Sequence, residues 1–221
     1  MIILHHLNNS RSQRILWMLE ELELPYEIKR YERDSKTMLA PPSLRQVHPL
    51  GKSPIISDGE VTMAESGAII EYLGQKYGDG RLIPETGSAD YRQYIYWMHY
   101  AEGSLMPPLL LRLVFEAIKS KPLPFFIKPV ARKIADETTR QFIAPQIKTH
   151  FDYVEKFLGE HEWMAGHKLT GADIQMSFPL EASVARGVAD SYPNITAYVK
   201  RFQERPAYQR ALQAGGDYDY A

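Results

Sequence analysis

Gly51-Lys52-Ser53-Pro54-Ile55-Ile56-Ser57-Asp58-Gly59-Glu60-Val61-Thr62-Met63-Ala64-Glu65-Ser66 is the stretch that decides the fold. Ile55-Ile56 and Val61-Thr62-Met63 have the composition of strands. Ser57-Asp58-Gly59-Glu60 stands between them. An Asp-Gly pair there predicts a tight hairpin, because both residues tolerate positive φ. After the second strand the spacing becomes helical, with Ile69, Ile70, Tyr72 and Leu73 following Ser66. Ser66 is therefore expected at a helix start, where a hydroxyl and unpaired backbone N–H groups suit a carboxylate. At the other end, Pro54 opens a strand where no backbone donor is needed. A cis Ser53-Pro54 bond would turn the backbone of Ser53 outward.

Working upstream, Ile2-Ile3-Leu4 reads as a short strand and Asn8-Asn9-Ser10 as turn and cap residues. Ile15, Met18, Leu19 and Leu22 repeat at helical spacing until Pro25, and Tyr26 to Tyr31 alternates as a second strand. The order is βαβ, with parallel strands, and then ββα. Residues 32–50 are polar and Pro-punctuated, with one helical turn expected near Ser43-Leu44-Arg45.

Downstream, Gly78-Asp79-Gly80 to Pro84-Glu85-Thr86-Gly87 is rich in breakers and reads as a linker. Everything beyond it is helical. Tyr91, Tyr94, Ile95 and Met98 mark one face of a long helix, and Tyr96, His99, Tyr100 and Gly103 the other. Pro107-Pro108 should bend or end it. The basic, Pro-punctuated segment 119–133 is expected as a solvated excursion between helices, with a lipid or partner patch as the sharper alternative. Thr170 with Asp173 predicts a capping box, and Leu169 can staple onto Ile174. Residues 215–221 read as a mobile tail. The expected fold class is thus α/β plus all-α: a βαβ–ββα domain over 1–78, a linker over 79–88 and an all-helical domain over 89–221.

Composition narrows the function classes. The 221 residues are 44% hydrophobic and 24% charged, ordinary values for a globular protein with a packed core. A net charge of −1 argues against binding nucleic acid by phosphate neutralisation. There is no cysteine, which removes disulfides, thiolate metal sites and a cysteine nucleophile. No apolar run reaches about 18 residues, so no membrane span is expected. The first residues lack a signal-peptide pattern, and a cytoplasmic location is expected. No internal repeat, Gly-rich phosphate loop, His-Glu metal spacing or nucleophile elbow is present. His5 and His6 are isolated on a strand end and make a poor metal site.

The order of elements, together with four local motifs, resembles the soluble glutathione transferases over the whole chain. The motifs are Ser10-Arg11-Ser12-Gln13-Arg14 opening the first helix, Gly51-Lys52-Ser53-Pro54 before the hairpin, Glu65-Ser66, and Thr170-Gly171-Ala172-Asp173. The run Ser10 to Trp17 looks most like a bacterial and fungal branch of the serine-type enzymes, although Ser12 stands where the common motif often carries Pro. The resemblance implies a thioredoxin-like first domain that holds glutathione, a helical domain that supplies most of an apolar second pocket, and a homodimer. Tyrosine-type members place a Tyr where this chain has His5 and His6, and cysteine-type members are excluded by composition.

The residues suit that ligand. An extended tripeptide can pair its main chain with the exposed backbone at Ser53-Pro54. The Ser66 hydroxyl and helix start suit the γ-glutamyl carboxylate, Glu65 the γ-glutamyl amine, and Lys52 the glycyl carboxylate. Conjugation needs a thiolate, and a free thiol with a pKa near ~8.5 is mostly protonated at neutral pH. The Ser10 hydroxyl can donate to sulfur, with Asn9 and Arg11 beside it as alternatives. Ser10 can equally be a pure cap, since Ser10-x-x-Gln13 has the form of a capping box. Tyr96, Tyr100, Gly103 and Met106 lie on the helix face expected toward the second substrate. No cofactor is called for beyond glutathione as co-substrate. The implied activity is transfer of glutathione to small hydrophobic electrophiles. Peroxidase activity at the same site, or non-catalytic binding on the same fold, are the alternatives.

Overall fold

The structure is a computed structural model and describes residues 1–221. The chain runs β1 (Ile2–Leu7), α1 (Ser12–Glu21), β2 (Tyr26–Tyr31), a 3-10 turn (Pro42–Gln46), β3 (Ile55–Asp58), β4 (Val61–Ala64) and α2 (Ser66–Tyr77). Seven helices follow: α3 (Ala89–Tyr100), α4 (Met106–Ser120), α5 (Lys128–Thr138), α6 (Ala144–Glu160), α7 (Gly171–Ala185), α8 (Pro193–Gln203) and α9 (Pro206–Gly215). The four strands form one mixed sheet in the order β2-β1-β3-β4. β1 is parallel to β2 and antiparallel to β3, which is antiparallel to β4. This is the expected βαβ–ββα unit followed by helices.

β1 is a central strand covered on both faces, so even His5 and His6 are buried. α1 is enclosed as well: Ser12 to Leu19 are all buried, because the helix packs against α2, α7 and α9. Trp17 stacks on Phe202 and meets Tyr208 edge-on, so a single core ties the sheet half to the helical half. Asp173 starts α7 as expected. Its carboxylate accepts from Thr170 N, Thr170 Oγ1, Met164 N and the Tyr198 hydroxyl.

Several local expectations need correction. The hairpin turn is Gly59-Glu60, with Gly59 at φ 62°, and Asp58 pairs with Val61 as the last residue of β3. The Asp58 side chain is drawn to α2 instead, where it accepts from Tyr72, Lys76 and Tyr77. α1 begins at Ser12, not Ser10, and no Ser10–Gln13 capping box forms: the Gln13 backbone N–H donates to the Ser10 carbonyl at 3.2 Å, and the Gln13 side-chain amide is buried without a hydrogen-bond partner, close to Gly215. Pro107-Pro108 neither ends nor sharply breaks the long helix. A wide π turn at Ala101–Leu105 leads into α4, placing both prolines in its first turn, where a missing N–H costs least. Of segment 119–133, only residues 121–127 connect helices, while Lys128 onward belongs to α5. The tail is not loose: it folds back from Gly216 and docks on α7 and the β1–α1 loop. No helix is long and apolar enough to cross a membrane.

Candidate functional site

The loop after β1 carries Ser10, and the loop before β3 carries Ser53 and the cis Ser53-Pro54 bond. The two hydroxyls lie 3.3 Å apart. Gly51 sets up this loop at φ 56°, in the left-handed region that favours glycine, and a Cβ there would fall 2.6 Å from the Arg45 side chain, which would have to shift. Ser10 is 4% exposed; its Oγ donates to the Leu7 carbonyl at 2.8 Å and accepts from Ser12 N at 3.2 Å. A buried chain of polar groups continues behind it. Ser12 Oγ is 2.8 Å from Ser10 Oγ and 2.9 Å from His6 Nδ1. Burial, then the charge of Arg30, pushes the His6 imidazole down to about 4, so it is neutral at physiological pH.

Ser66 lies at the first residue of α2, where free N–H groups point outward. Glu65 precedes it at φ 71°, a left-handed conformation that costs a non-glycine residue energy, and its side chain is exposed. The Ser66 hydroxyl oxygen accepts from Arg14 Nη2. Arginine has no lone pair to offer, so the Ser66 hydrogen stays free for an acceptor outside. Arg14 is wholly buried and also donates to the Gln175 carbonyl at 2.6 Å and to Glu102 Oε1 at 2.5 Å. Glu102 in turn takes a two-pronged contact from Arg11, at 2.8 and 3.0 Å. Burial raises the Glu102 carboxyl, but the two arginines outweigh it and leave the group below the usual carboxylate range. Two hydrogen-bonded groups thus meet at the adjacent residues Ser10 and Arg11: Ser53 with Ser10, and Arg11 with Glu102, Arg14 and Ser66.

The structure places the other expected residues as follows. Lys52 is exposed beside Ser53. Asn9, at φ 47°, turns its amide to Asp219. The Arg11 guanidinium faces Glu102 and lies 4.8 Å from the centroid of the Phe178 ring. Tyr96 and Tyr100 stack on each other and both meet Trp97 edge-on, and on α6 Tyr100 bonds His150 Nδ1 at 2.6 Å while both rings meet Tyr153. Glu102, two positions on, faces the opposite side toward Arg11, as a helical rotation of about 200° requires. Gly103 has open space beside it, and Met106 lies one turn beyond Glu102. A cavity of about 750 Å³ opens elsewhere, between the linker at Arg81–Pro84 and Trp163–Thr170, away from these groups.

Sequence reasoning missed Arg14, Glu102 and Phe178. The available signal was Ser10-Arg11-Ser12-Gln13-Arg14 running straight into the apolar Ile15-Leu16-Trp17-Met18-Leu19. A helix buried that fully must partner its cation.

Both halves of the chain are similar to known proteins. Residues 1–75 match the family description "Glutathione S-transferase, N-terminal domain", and residues 121–213 match "Glutathione S-transferase, C-terminal domain". The chain is 39% identical over 215 residues to Glutathione S-transferase 3 of Schizosaccharomyces pombe, covering 96% of this chain and 87% of that one. It is 36% identical over 216 residues to Glutathione S-transferase 1 of Saccharomyces cerevisiae, covering 94% and 92%. The crystal structure of a glutathione S-transferase from Actinobacillus pleuropneumoniae superposes with a TM-score of 0.80 at 36% identity, covering 96% and 92%. The chain belongs to the glutathione S-transferase family.

Proposed function

We propose that this protein transfers glutathione through sulfur to small hydrophobic electrophiles, as a serine-type enzyme of the bacterial and fungal branch. The observation that carries the reading is that two hydrogen-bonded groups meet at the adjacent residues Ser10 and Arg11: Ser10 with Ser53 beside the cis proline, and Arg11 with Glu102, Arg14 and Ser66 at the head of α2. The free Ser66 hydrogen and the α2 N–H groups take the γ-glutamyl carboxylate, with Arg14 adding positive charge beneath. Glu65 and Glu102 are the anions available to the γ-glutamyl amine. Ser53 and Pro54 present backbone to the cysteinyl unit, and Lys52 reaches the glycyl carboxylate as a mobile point charge.

Ser10 turns its hydrogen from the Leu7 carbonyl to the sulfur. Lowering the thiol pKa by one unit takes about 1.4 kcal/mol of preferential thiolate stabilisation, within reach of one charge-assisted hydrogen bond. The thiol proton leaves to water, the C–S bond forms, and the leaving group departs with its electron pair, or the pair moves into a conjugated acceptor. Ser10 forms no covalent bond. The residues themselves supply positioning and electrostatics, and no cofactor is required beyond glutathione as co-substrate. A cytoplasmic homodimer is the expected setting. Leu110, Leu113, Val114, Val130 and Ile134 on α4 and α5 are exposed in the single chain and favour association.

The test is turnover of chlorodinitrobenzene by wild type and Ser10→Ala, with binding to immobilised glutathione measured on both. Conjugation by wild type, with retained binding and reduced turnover in the variant, is the expected result. Peroxide reduction without conjugation would assign the site to a peroxidase. Absence of glutathione binding in wild type would leave a binding protein on this fold.

A further inference from the structure

The connector between α4 and α5 is hydrogen-bonded yet buries almost none of its side chains. Lys121 leaves α4 extended, at φ −63° and ψ 143°, and Pro122 and Pro124 keep the helix from continuing. The Pro124 carbonyl then accepts from Ile127 N at 3.0 Å and from Lys128 N at 3.1 Å, closing a turn that leads into α5. Phe125 and Phe126 occupy the middle of that turn. They are 86% and 65% exposed, and their rings meet only each other, edge-on at 5.5 Å and 88°. Turn positions ordinarily go to Gly, Asn, Asp or Ser, which water solvates freely. Two phenylalanines there serve neither the turn nor the core, and together they make an exposed apolar point.

The charge around that point has one sign. Residues 117–135 contain Lys119, Lys121, Lys128, Arg132 and Lys133 and no acid, in a chain whose net charge is −1. Lys119 is matched within the fold, by Glu116 at 2.8 Å and Asp136 at 2.7 Å. Glu137, the next acid along α5, is held by Arg140. The nearby acids are thus engaged, and Lys121, Lys128, Arg132 and Lys133 are left exposed without an acidic partner. Lys128 and Arg132, four residues apart on α5, line a cleft of about 540 Å³ together with Phe125, Pro129 and Lys133, and Asp136 and Glu137 complete its lining.

We propose that this tip is a docking surface for an anionic lipid bilayer. Phe125 and Phe126 enter the boundary between headgroups and acyl chains, and the four unmatched cations reach lipid phosphates on their long stems. An anionic leaflet supplies the missing counter-charge to each of them. A second copy of this chain suits the tip less well, because a two-fold contact sets the same patch against itself and would bring like charges together. An acidic protein would satisfy the cations but would also need a pocket for two adjacent rings, whereas a bilayer needs none. With no helix able to cross a membrane, the attachment is peripheral and reversible by salt. It is independent of the transfer reaction, and it leaves the exposed leucines and valines of α4 and α5 to the homodimer.

The experiment is co-sedimentation of the full chain with phosphatidylcholine vesicles and with vesicles about one-third phosphatidylserine. It compares wild type, Phe125→Ala with Phe126→Ala, and Lys128→Glu with Arg132→Glu, with the urea midpoint and elution volume of each. All four side chains are exposed, so the fold should survive both pairs of changes with an unchanged midpoint. Wild type should bind the anionic vesicles at least about tenfold more tightly than the neutral ones, and about 0.5 M salt should release it. Each double variant should lower binding to the anionic vesicles at least about tenfold. Wild type that sediments with neither vesicle, or equally with both, overturns the proposal. So does either double variant that binds as tightly as wild type. A phenylalanine variant that elutes as a smaller species while still binding vesicles overturns it too, and gives the tip to a second copy of the chain.

Discussion

The Oγ atoms of Ser10 and Ser53 lie 3.3 Å apart, which brings the loop after β1 and the loop before β3 together at a pair of hydroxyls. Only one of them has a second role open to it. Ser53 Oγ leans on the His5 carbonyl at 3.4 Å, while Ser10 Oγ is tied into the Ser12–His6 chain and is held firmly in place. Ser10→Ala should therefore raise the pKa of bound thiol by about one unit and cut kcat/KM about tenfold near neutral pH. The acid limb of the pH–rate profile should move to higher pH by the same amount. Ser53→Ala, which leaves the backbone contacts alone, should change either quantity less than about threefold. A profile of Ser10→Ala that overlays wild type would exclude the hydroxyl as the thiolate donor.

Ser66 and Arg14 should separate binding from stability. Ser66→Ala removes one hydrogen bond to a charged ligand group, about 1.5–3 kcal/mol, so the glutathione KM should rise at least tenfold with kcat nearly kept. Arg14→Met strips the internal partner from Ser66, Gln175 and Glu102 together, and should cost about 3 kcal/mol in urea unfolding. Arg14→Lys should rescue little, because one ammonium cannot span the three acceptors. Equal stability of Arg14→Met and wild type would mean that Glu102 is fully served by Arg11.

The strand and helix order was legible because it is written in local periods: two through Ile55-Ile56 and Val61-Met63, helical after Ser66. Ser66 was legible for the same reason, since it opens α2, while Ser10 and Ser53 lie in loops two residues before α1 and β3. What lay beyond reach was long-range partnering. Arg14 and Glu102 are 88 residues apart, and no local pattern announces that one neutralises the other. The tail was misread as mobile because Gly215-Gly216 looks like a frayed end. Its order comes from Glu181 and Asn9, residues that give no hint in sequence of facing Tyr218 and Asp219. Tyr100 is buried against His150 and Tyr153 of α6, long-range partners that helical spacing does not announce, while Tyr96 keeps an exposed ring.

Asp58 should act as the clasp between the hairpin and α2. Lys76 above all, with Tyr77 and Tyr72, holds its carboxyl down at about 2, from an ordinary 3.8. A depressed carboxylate contributes stability that is complete above about pH 4 and lost as pH falls through about 2. Lys76 is nearly half exposed and water screens the pair, so Asp58→Asn should cost only about 1 kcal/mol at pH 7. The gap between variant and wild type should close in acid. A gap of the same size at pH 2 and pH 7 would assign the loss to packing rather than charge.

Glu181 should give the opposite sign. Its carboxyl is fully buried between Tyr208 and Tyr218, and burial raises it from 4.5 to about 7 against the pull of both hydroxyls and the more distant Arg14. The folded state then binds more protons than the unfolded chain between those two values, so stability falls as pH rises from about 4.5 to about 7 and is level beyond. The full swing is about 3 kcal/mol. Glu181→Gln keeps the shape and both tyrosine partners but cannot ionise. Its stability should lie close to wild type at pH 4.5 and exceed it by about 2–3 kcal/mol at pH 8, read from urea midpoints at each pH. A constant difference across that range would show that the carboxyl keeps an ordinary pKa, and that tyrosine donors alone meet the cost of burying its charge.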